Sequence, residues 1–268
     1  MSGFSADWLA LREPFDVNAR NADVLDAVIA TLAGNTQPRI VDLACGTGST
    51  VRTLAPYFSP GQTWKLVDND LSLLARAADL TKHTGVSVIT APVDLNHDLE
   101  AALDGAVDLV TTSALLDLVS APWLERLAVE TLARSIPFYA ALSYDGRVEM
   151  GPAHAMDKAI VAAVNRHQRS DKGFGPALGP DAATAAVAQF EKLGCVVVHG
   201  EADWVAGPKD RDFQNEVLAG WASAVRETGD VPLTDIVDWL TFRRDQVAAG
   251  TSSLRVGHVD MLARPGKR

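Results

Sequence analysis

The chain is short of cysteine, of basic charge and of long apolar runs, and each shortage removes a class of function. Cys45 and Cys195 are the only cysteines in 268 residues. Neither has a second cysteine or a histidine at ligand spacing, so zinc-type patterns fail and no metal is expected. Two lone thiols do not make a disulfide framework. Lysine and arginine number 24 against 34 aspartates and glutamates, a formal net charge of −10. No basic run offsets that balance, so phosphate backbones are repelled and nucleic acid is not expected as a partner. No apolar stretch approaches the roughly 18 residues that a membrane span needs. The opening "MSGFSADWLALREPFD" lacks the basic start and apolar centre of a secretory leader. These readings point to a cytoplasmic protein with no membrane partner. Internal repeats and low-complexity tracts are missing too, which excludes repeat architectures.

What is present is ordinary for one large globular domain: 47% hydrophobic and 22% charged residues. A chain of this length buries enough surface to fold without a covalent staple. We read one domain over residues 1–268. Residues 5–33 have helical spacing, with Ser5 as a cap, Pro14 as a stop, and a second helical run from Val17 to Leu32 closed by Gly34.

Strands and helices then alternate. "RIVDLA", "TWKLVDND", "VSVITAPVDL", "AVDLVTTSA" and "PFYAALSYD" read as strands, separated by the helices "GSTVRTLAPYF", "LSLLARAADLTKHTG", "LEAALDG" and "PWLERLAVETLA". Asp70 stands where it caps the second of these helices, and Pro122 opens the last. This alternation means an α/β, doubly wound, mostly parallel sheet with helices on both faces. The rhythm breaks after Asp145. Segments 146–180 and 207–250 read as helical insertions, the first holding a helix near 153–167. "CVVVHGEADWVA" and "SSLRVGHVDMLARP" supply a sixth strand and a last one.

An open parallel sheet binds ligands beyond the carboxyl ends of its strands. The first such end is "VDLACGTGST", where Ala44, Gly46 and Gly48 are small enough for backbone to lie against a ligand. The N–H groups at the following helix start suit an electron-rich group. Asp68 lies 20 residues past Gly48, at the end of the second strand, where an acid reaches ribose hydroxyls. Asp94 ends the third strand, with Leu95 beside it to cover an adenine. Two ligand classes compete. A dinucleotide site wants G-x-G-x-x-G, but here Ala44 stands at the first glycine, Val51 follows Gly48 by three, and no third glycine appears. Asp42, two residues before the turn, suits an ammonium group instead.

Together "VDLACGTGS", "LVDND", "APVDL" and "VDLVTTSALLDL" resemble the class I S-adenosylmethionine-dependent methyltransferases over about residues 38–145. The resemblance implies a Rossmann-like methyltransferase fold of seven strands, the last antiparallel, with helical cap insertions. It implies S-adenosyl-L-methionine as cofactor. Asp42 would orient its amino group, and Ala44, Cys45, Gly46 and Gly48 would form the floor. Asp68 would hold the ribose, Asn69 and Asp94 would meet the adenine with Leu95, and Ser113 would sit by the methionine portion. Ala44 departs from the usual glycine, a mild change because a methyl is small. Residues 1–34 are expected to cap the cofactor, with Arg12 or Arg20 on its carboxylate.

Methyl transfer needs alignment first and a base only if the acceptor loses a proton. A small-molecule acceptor is expected in the two insertions. Asp117, Arg169, Lys172 and Phe174 are candidate acceptor contacts, and His154, His167 and Tyr144 are candidate catalytic groups. Asp145 and Arg147 are expected at the same mouth, and Trp204, Trp221 and Trp239 as a possible apolar wall. Two other readings stay open at this point: an NAD-dependent oxidoreductase, or a non-catalytic scaffold that binds the cofactor. The oligomeric state, monomer or dimer, is also open.

Overall fold

The short apolar runs become strands because alternate residues meet apolar layers on both faces of one sheet. In the computed structural model, which describes residues 5–266, β1 is Arg39–Leu43, β2 Thr63–Asp68, β3 Ser87–Pro92, β4 Leu109–Ser113 and β5 Phe138–Gly151. They are followed by β6 (Cys195–Glu201), β7 (Trp204–Ala206) and β8 (Ser253–Pro265). The first four residues of the expected N-terminal cap lie outside the described residues. The order is β3-β2-β1-β4-β5-β8-β6, and β8 alone runs antiparallel to its neighbours. The path holds the expected seven strands, with the last strand of the chain antiparallel. The "CVVVHGEADWVA" segment breaks in two, and its second piece, β7, adds an eighth short strand along β8.

Strand alternation sorts the core. Ile40, Trp64, Leu66 and Tyr139 pack on one face with α2 (Ala22–Thr31), α3 (Ser49–Leu54) and α4 (Leu71–Thr81). Val41, Leu43, Val67 and Phe138 pack on the other with α5 (Leu99–Ala102), α6 (Ala121–Ala133) and α8 (Ala182–Lys192). Asp70 caps α4 as expected, accepting from the N–H groups of Ser72 and Leu73. A third cluster joins α7 (Asp157–Gln168), α9 (Arg211–Thr228) and α10 (Leu233–Ala249) through Ile160, Leu218, Ile236 and Trp239.

The structure corrects the boundaries at several points. Pro14 does not stop the first helix, and α1 runs Ala6–Ala19 straight through it. Contacts on the far side of the proline hold the chain helical. Phe15 stacks on Phe213 with ring centroids 3.7 Å apart, and Trp204 Nε1 donates to Asp16 Oδ1 at 2.9 Å. The second run does not start at Val17 either. Asn21 breaks it by capping α2, its Oδ1 accepting from Val24 N at 3.1 Å while its own N–H donates to Asp260 Oδ2 at 3.1 Å. Finally, β5 continues past Asp145 to Gly151 by pairing with β8, so residues 146–151 are strand, not insertion.

Candidate functional site

The ends of β1, β2, β4 and β5 meet on one side of the sheet, and the loop after β1 is shaped by backbone geometry. Gly46 and Gly48 hold φ of +54° and +79°. Cys45 N donates to Val67 O at 2.9 Å, and Gly46 N to Asp68 Oδ2 at 2.9 Å. These amides are therefore tied to β2 instead of standing free, and Asp68 fixes the loop while its remaining lone pairs stay available to hydroxyls. Ala44 is the surprise. Its φ is +52°, so the cost of lacking glycine lies in the backbone, about 1–2 kcal/mol, and not in the bulk of the methyl. Cys45 is buried, which pushes its thiol pKa up and leaves it inert.

The first helix roofs this loop. A side chain added at Gly46 would meet Leu9 Cδ1 at 3.2 Å. Arg52 clasps Glu13 of α1 through Nε–Oε1 at 2.7 Å and Nη2–Oε2 at 2.5 Å, and donates to Thr47 O at 2.6 Å. So α1 and α3 are tied to each other and to the loop.

Asp42 is fully buried on β1. Thr111 donates to its Oδ1 at 2.8 Å, and Oδ2 has no partner among the described residues. Burial pushes its pKa up to about 7, against the opposing pull of Thr111 and Arg20. Arg20 reaches in from the α1–α2 corner. It donates to Tyr139 OH at 3.1 Å and to Ser113 Oγ at 3.5 Å. Tyr139 OH donates on to Asp260 Oδ2 at 3.2 Å, and Asp260 Oδ1 accepts from Leu142 N at 2.8 Å. Burial works against the Arg20 charge, but Tyr139, Asp260 and Asp16 outweigh it and hold its pKa up. Arg12 pairs with Asp16 at 3.0 Å.

At the far end of the same strand edge, Asn69 and Asp94 are exposed. Asp94 accepts from His97 Nδ1 at 3.0 Å and Asn96 N at 2.9 Å, contacts that lower its pKa. Leu95 is buried, its carbonyl accepting from Trp123 Nε1 at 2.7 Å.

Beside the loop lies a cavity of about 470 Å³ whose wall includes Trp8, Arg12, Ala114, Leu142, Val164 and Trp221. Ala114 and Leu142 carry φ of +52° and +54°, so with Ala44 they put left-handed non-glycine residues at the ends of β1 and β4 and in a bulge of β5. Of the expected acceptor and catalytic groups, Asp117, Tyr144, His167 and Lys172 face this cavity. Tyr144 OH donates to Asn165 Oδ1 at 2.7 Å, and burial raises its pKa, so it stays a neutral phenol. His167 Nε2 is 3.0 Å from Glu227 Oε2.

Three expected residues lie outside the cavity lining. His154 accepts from Met156 N at 3.2 Å in the turn before α7. Arg169 pairs with Asp181 at 2.8 Å on the surface. Phe174 packs edge-on against Trp123, centroids 5.4 Å apart. Trp204 and Trp221 do form part of the wall, but Trp239 is buried in the helical cluster, donating to Asp157 Oδ1 at 2.9 Å. Arg147 turns to a surface network with Asp145, Glu201 and Asp203. The sequence reading missed His258. It lines the cavity from β8, its Nδ1 is 3.0 Å from Val256 O, and burial pulls its pKa down to about 4. The available signal was a polar pair, His258 and Asp260, on the same strand face as Val256.

The loop and its surroundings fit an adenosylated amino acid. The loop is small-residue backbone, an acid ends β2, and the buried Asp42 Oδ2 has no partner among the described residues. Residues 40–136, from β1 through α6, match the family described as a methyltransferase domain. No curated protein sequence matches the chain. In fold it is similar to the YcgJ protein of Bacillus subtilis, with a TM-score of 0.54 at 13% identity, covering 92% of this chain and all (100%) of that one. It is likewise similar to the cyclopropane synthase MmaA2 of Mycobacterium tuberculosis, with a TM-score of 0.53 at 11% identity over 97% and 95% of the two chains. A cyclopropane-fatty-acyl-phospholipid synthase-like protein of Lactobacillus casei gives a TM-score of 0.52 at 16% identity over 94% and 98%. These identities speak to the shared fold alone. The domain match over residues 40–136, the strand order and the loop geometry are together similar to those of the class I S-adenosylmethionine-dependent methyltransferases.

Proposed function

We propose that the chain is a class I S-adenosylmethionine-dependent methyltransferase that acts on a small-molecule acceptor held in the cavity bounded by α1, α7, α9 and the sheet. The cavity itself carries the reading. Its volume of about 470 Å³ falls in the range of roughly 300–1,000 Å³ that small ligands occupy, and its wall is mainly aromatic and aliphatic. It also shares the end of β4 with the cofactor loop, Ser113 on one side and Ala114 on the other.

When bound, S-adenosylmethionine supplies a methyl group already activated by a positive sulfur. Asp42 Oδ2 takes its amino group, Asp68 its ribose, and Leu95 with Asp94 and Asn69 its adenine. Ala44, Cys45, Gly46 and Gly48 form the floor, Ser113 stands by the methionine portion, and residues 5–34 serve as a roof. Arg20 acts as a strut that positions Ser113 and Tyr139. The acceptor cap is drawn from the 152–180 and 207–250 segments through α7 and α9. The protein's task is register between two reactants, an effect worth roughly 7–11 kcal/mol of barrier. Free Cys45 and Cys195 suit a reducing compartment such as the cytoplasm.

The test is calorimetry with S-adenosylhomocysteine on the wild type and Asp68→Ala. The variant loses its tie to Gly46 N and is expected to bind about tenfold more weakly while staying folded. Equal affinity in the two proteins, or binding of NAD in place of the nucleoside, sinks the assignment of these residues.

A further inference from the structure

The charged groups facing the cavity are not equally satisfied. Arg12 is paired with Asp16, His167 with Glu227, and Glu216 adds an exposed carboxylate to the wall from α9. His258 points no charge inward, because burial keeps it neutral. Asp117 and Lys172 are different. Asp117 is 5% exposed, and its Oδ1 has no hydrogen-bond partner among the described residues. Lys172 Nζ donates to Ser170 Oγ at 2.9 Å and lies 3.4 Å from His167 Nδ1, with no carboxylate partner among the described residues. Each is close enough to shift the titration of the other.

An occupant must therefore donate to Asp117 and accept from Lys172. An ammonium donates but is repelled by Lys172, which has no carboxylate partner of its own among the described residues. A carboxylate accepts but is repelled by Asp117. A hydroxyl does both in one neutral group. Trp8, Trp204, Trp221 and Tyr144 add flat apolar surface around the same space, which favours a planar ring. Trp204 is held in place by its bond to Asp16 and by the His258 ring at 4.4 Å.

We propose that the cavity binds a neutral aromatic hydroxyl compound, its hydroxyl between Asp117 Oδ1 and Lys172 Nζ and its ring against the tryptophans. This rests on the small-molecule reading above and names the acceptor class.

The experiment is a calorimetric titration of the full chain with probes that share one ring: 2-naphthol, 2-naphthoate and 2-naphthylmethylammonium. Each is run with and without S-adenosylhomocysteine. The naphthol is expected to bind at least about tenfold tighter than either charged probe. Lys172→Met and Asp117→Leu should each weaken naphthol binding about tenfold. They should also shift preference in opposite directions, Lys172→Met toward the ammonium and Asp117→Leu toward the carboxylate. That crossed pattern is not produced by general damage to the fold. If Asp117→Leu fails to fold by circular dichroism, Lys172→Met alone decides. A wild type that prefers a charged probe, or variants that leave the preference unmoved, overturns the proposal. Failure of the nucleoside to bind would instead strike the cofactor assignment, since the order of the naphthyl probes is read without it as well.

Discussion

The loop from Ala44 to Gly48 and the cavity beside it share the end of β4, yet they are made of different material. The loop is backbone. Its defining contacts are Cys45 N to Val67 O, Gly46 N to Asp68 Oδ2 and Gly48 N to Cys45 O, all at 2.8–2.9 Å. The cavity is side chain, with walls from α1, α7, α9, β5, β8 and the segment after β4. A backbone site constrains which residues can stand there by φ and by the absence of Cβ, whereas a side-chain site is free to change one wall at a time. One half of the crevice is therefore fixed by its chemistry, and the other is open to specialisation.

The largest effect expected on that contrast comes from Gly46→Val. Valine at φ +54° is strained, and its Cβ meets Leu9 Cδ1 at 3.2 Å, so α1 must lift from the loop. Affinity for S-adenosylhomocysteine should fall more than about 100-fold, or roughly 2.8 kcal/mol, by calorimetry. Binding of a naphthyl probe in the cavity should fall far less. Equal losses at both sites would mean that the two halves are not separable and would break the comparison.

A smaller and sharper effect concerns Asp42. Its carboxyl titrates near 7 in the free protein against an ordinary 3.8, chiefly because it is buried. An ammonium ligand binds the ionised form, so below about pH 7 binding must expel a proton from Asp42. Affinity for S-adenosylhomocysteine should therefore drop by up to about tenfold per pH unit below 7 and level off above it. Asp42→Asn should flatten the profile. Stability of the free protein runs the other way. A raised carboxyl pKa contributes stability that is fully present below about 3.8 and is lost as pH rises through about 7. A pH-independent affinity in the wild type would show that the ammonium sits elsewhere.

The same division explains what the sequence made legible. Local patterns predicted the strand–helix alternation, the Asp70 cap and the small-residue turn, because alternation and turn chemistry act over a few residues. What escaped depends on distant partners. Pro14 reads as a stop until Phe213 and Trp204 hold Phe15 and Asp16 in the helix. Asn21 reads as mid-helix until Asp260 and Glu201 O take its donors. The end of β5 depends on β8, whose Leu254 pairs with Met150. His258 enters the cavity by the same long-range pairing. Arg169 and Phe174 illustrate the converse: charge and aromaticity in a glycine-rich loop looked like a substrate grip, but Asp181 and Trp123 occupy them.

Ala44 offers the finest test of the loop as a backbone site. Its half-buried methyl makes it look like a tolerated stand-in for glycine, yet φ is +52°. The left-handed region costs an alanine about 1–2 kcal/mol, while glycine returns part of that gain as unfolded-chain entropy. Ala44→Gly should therefore stabilise the protein by about 0.5–1 kcal/mol in urea titrations with an unchanged slope. Its affinity for S-adenosylhomocysteine should be equal or slightly better, since nothing is removed but a strained methyl. If the substitution instead destabilises, the strain is repaid by contacts of that methyl. Position 44 would then belong with the cavity walls, chosen for its side chain, and not with the loop.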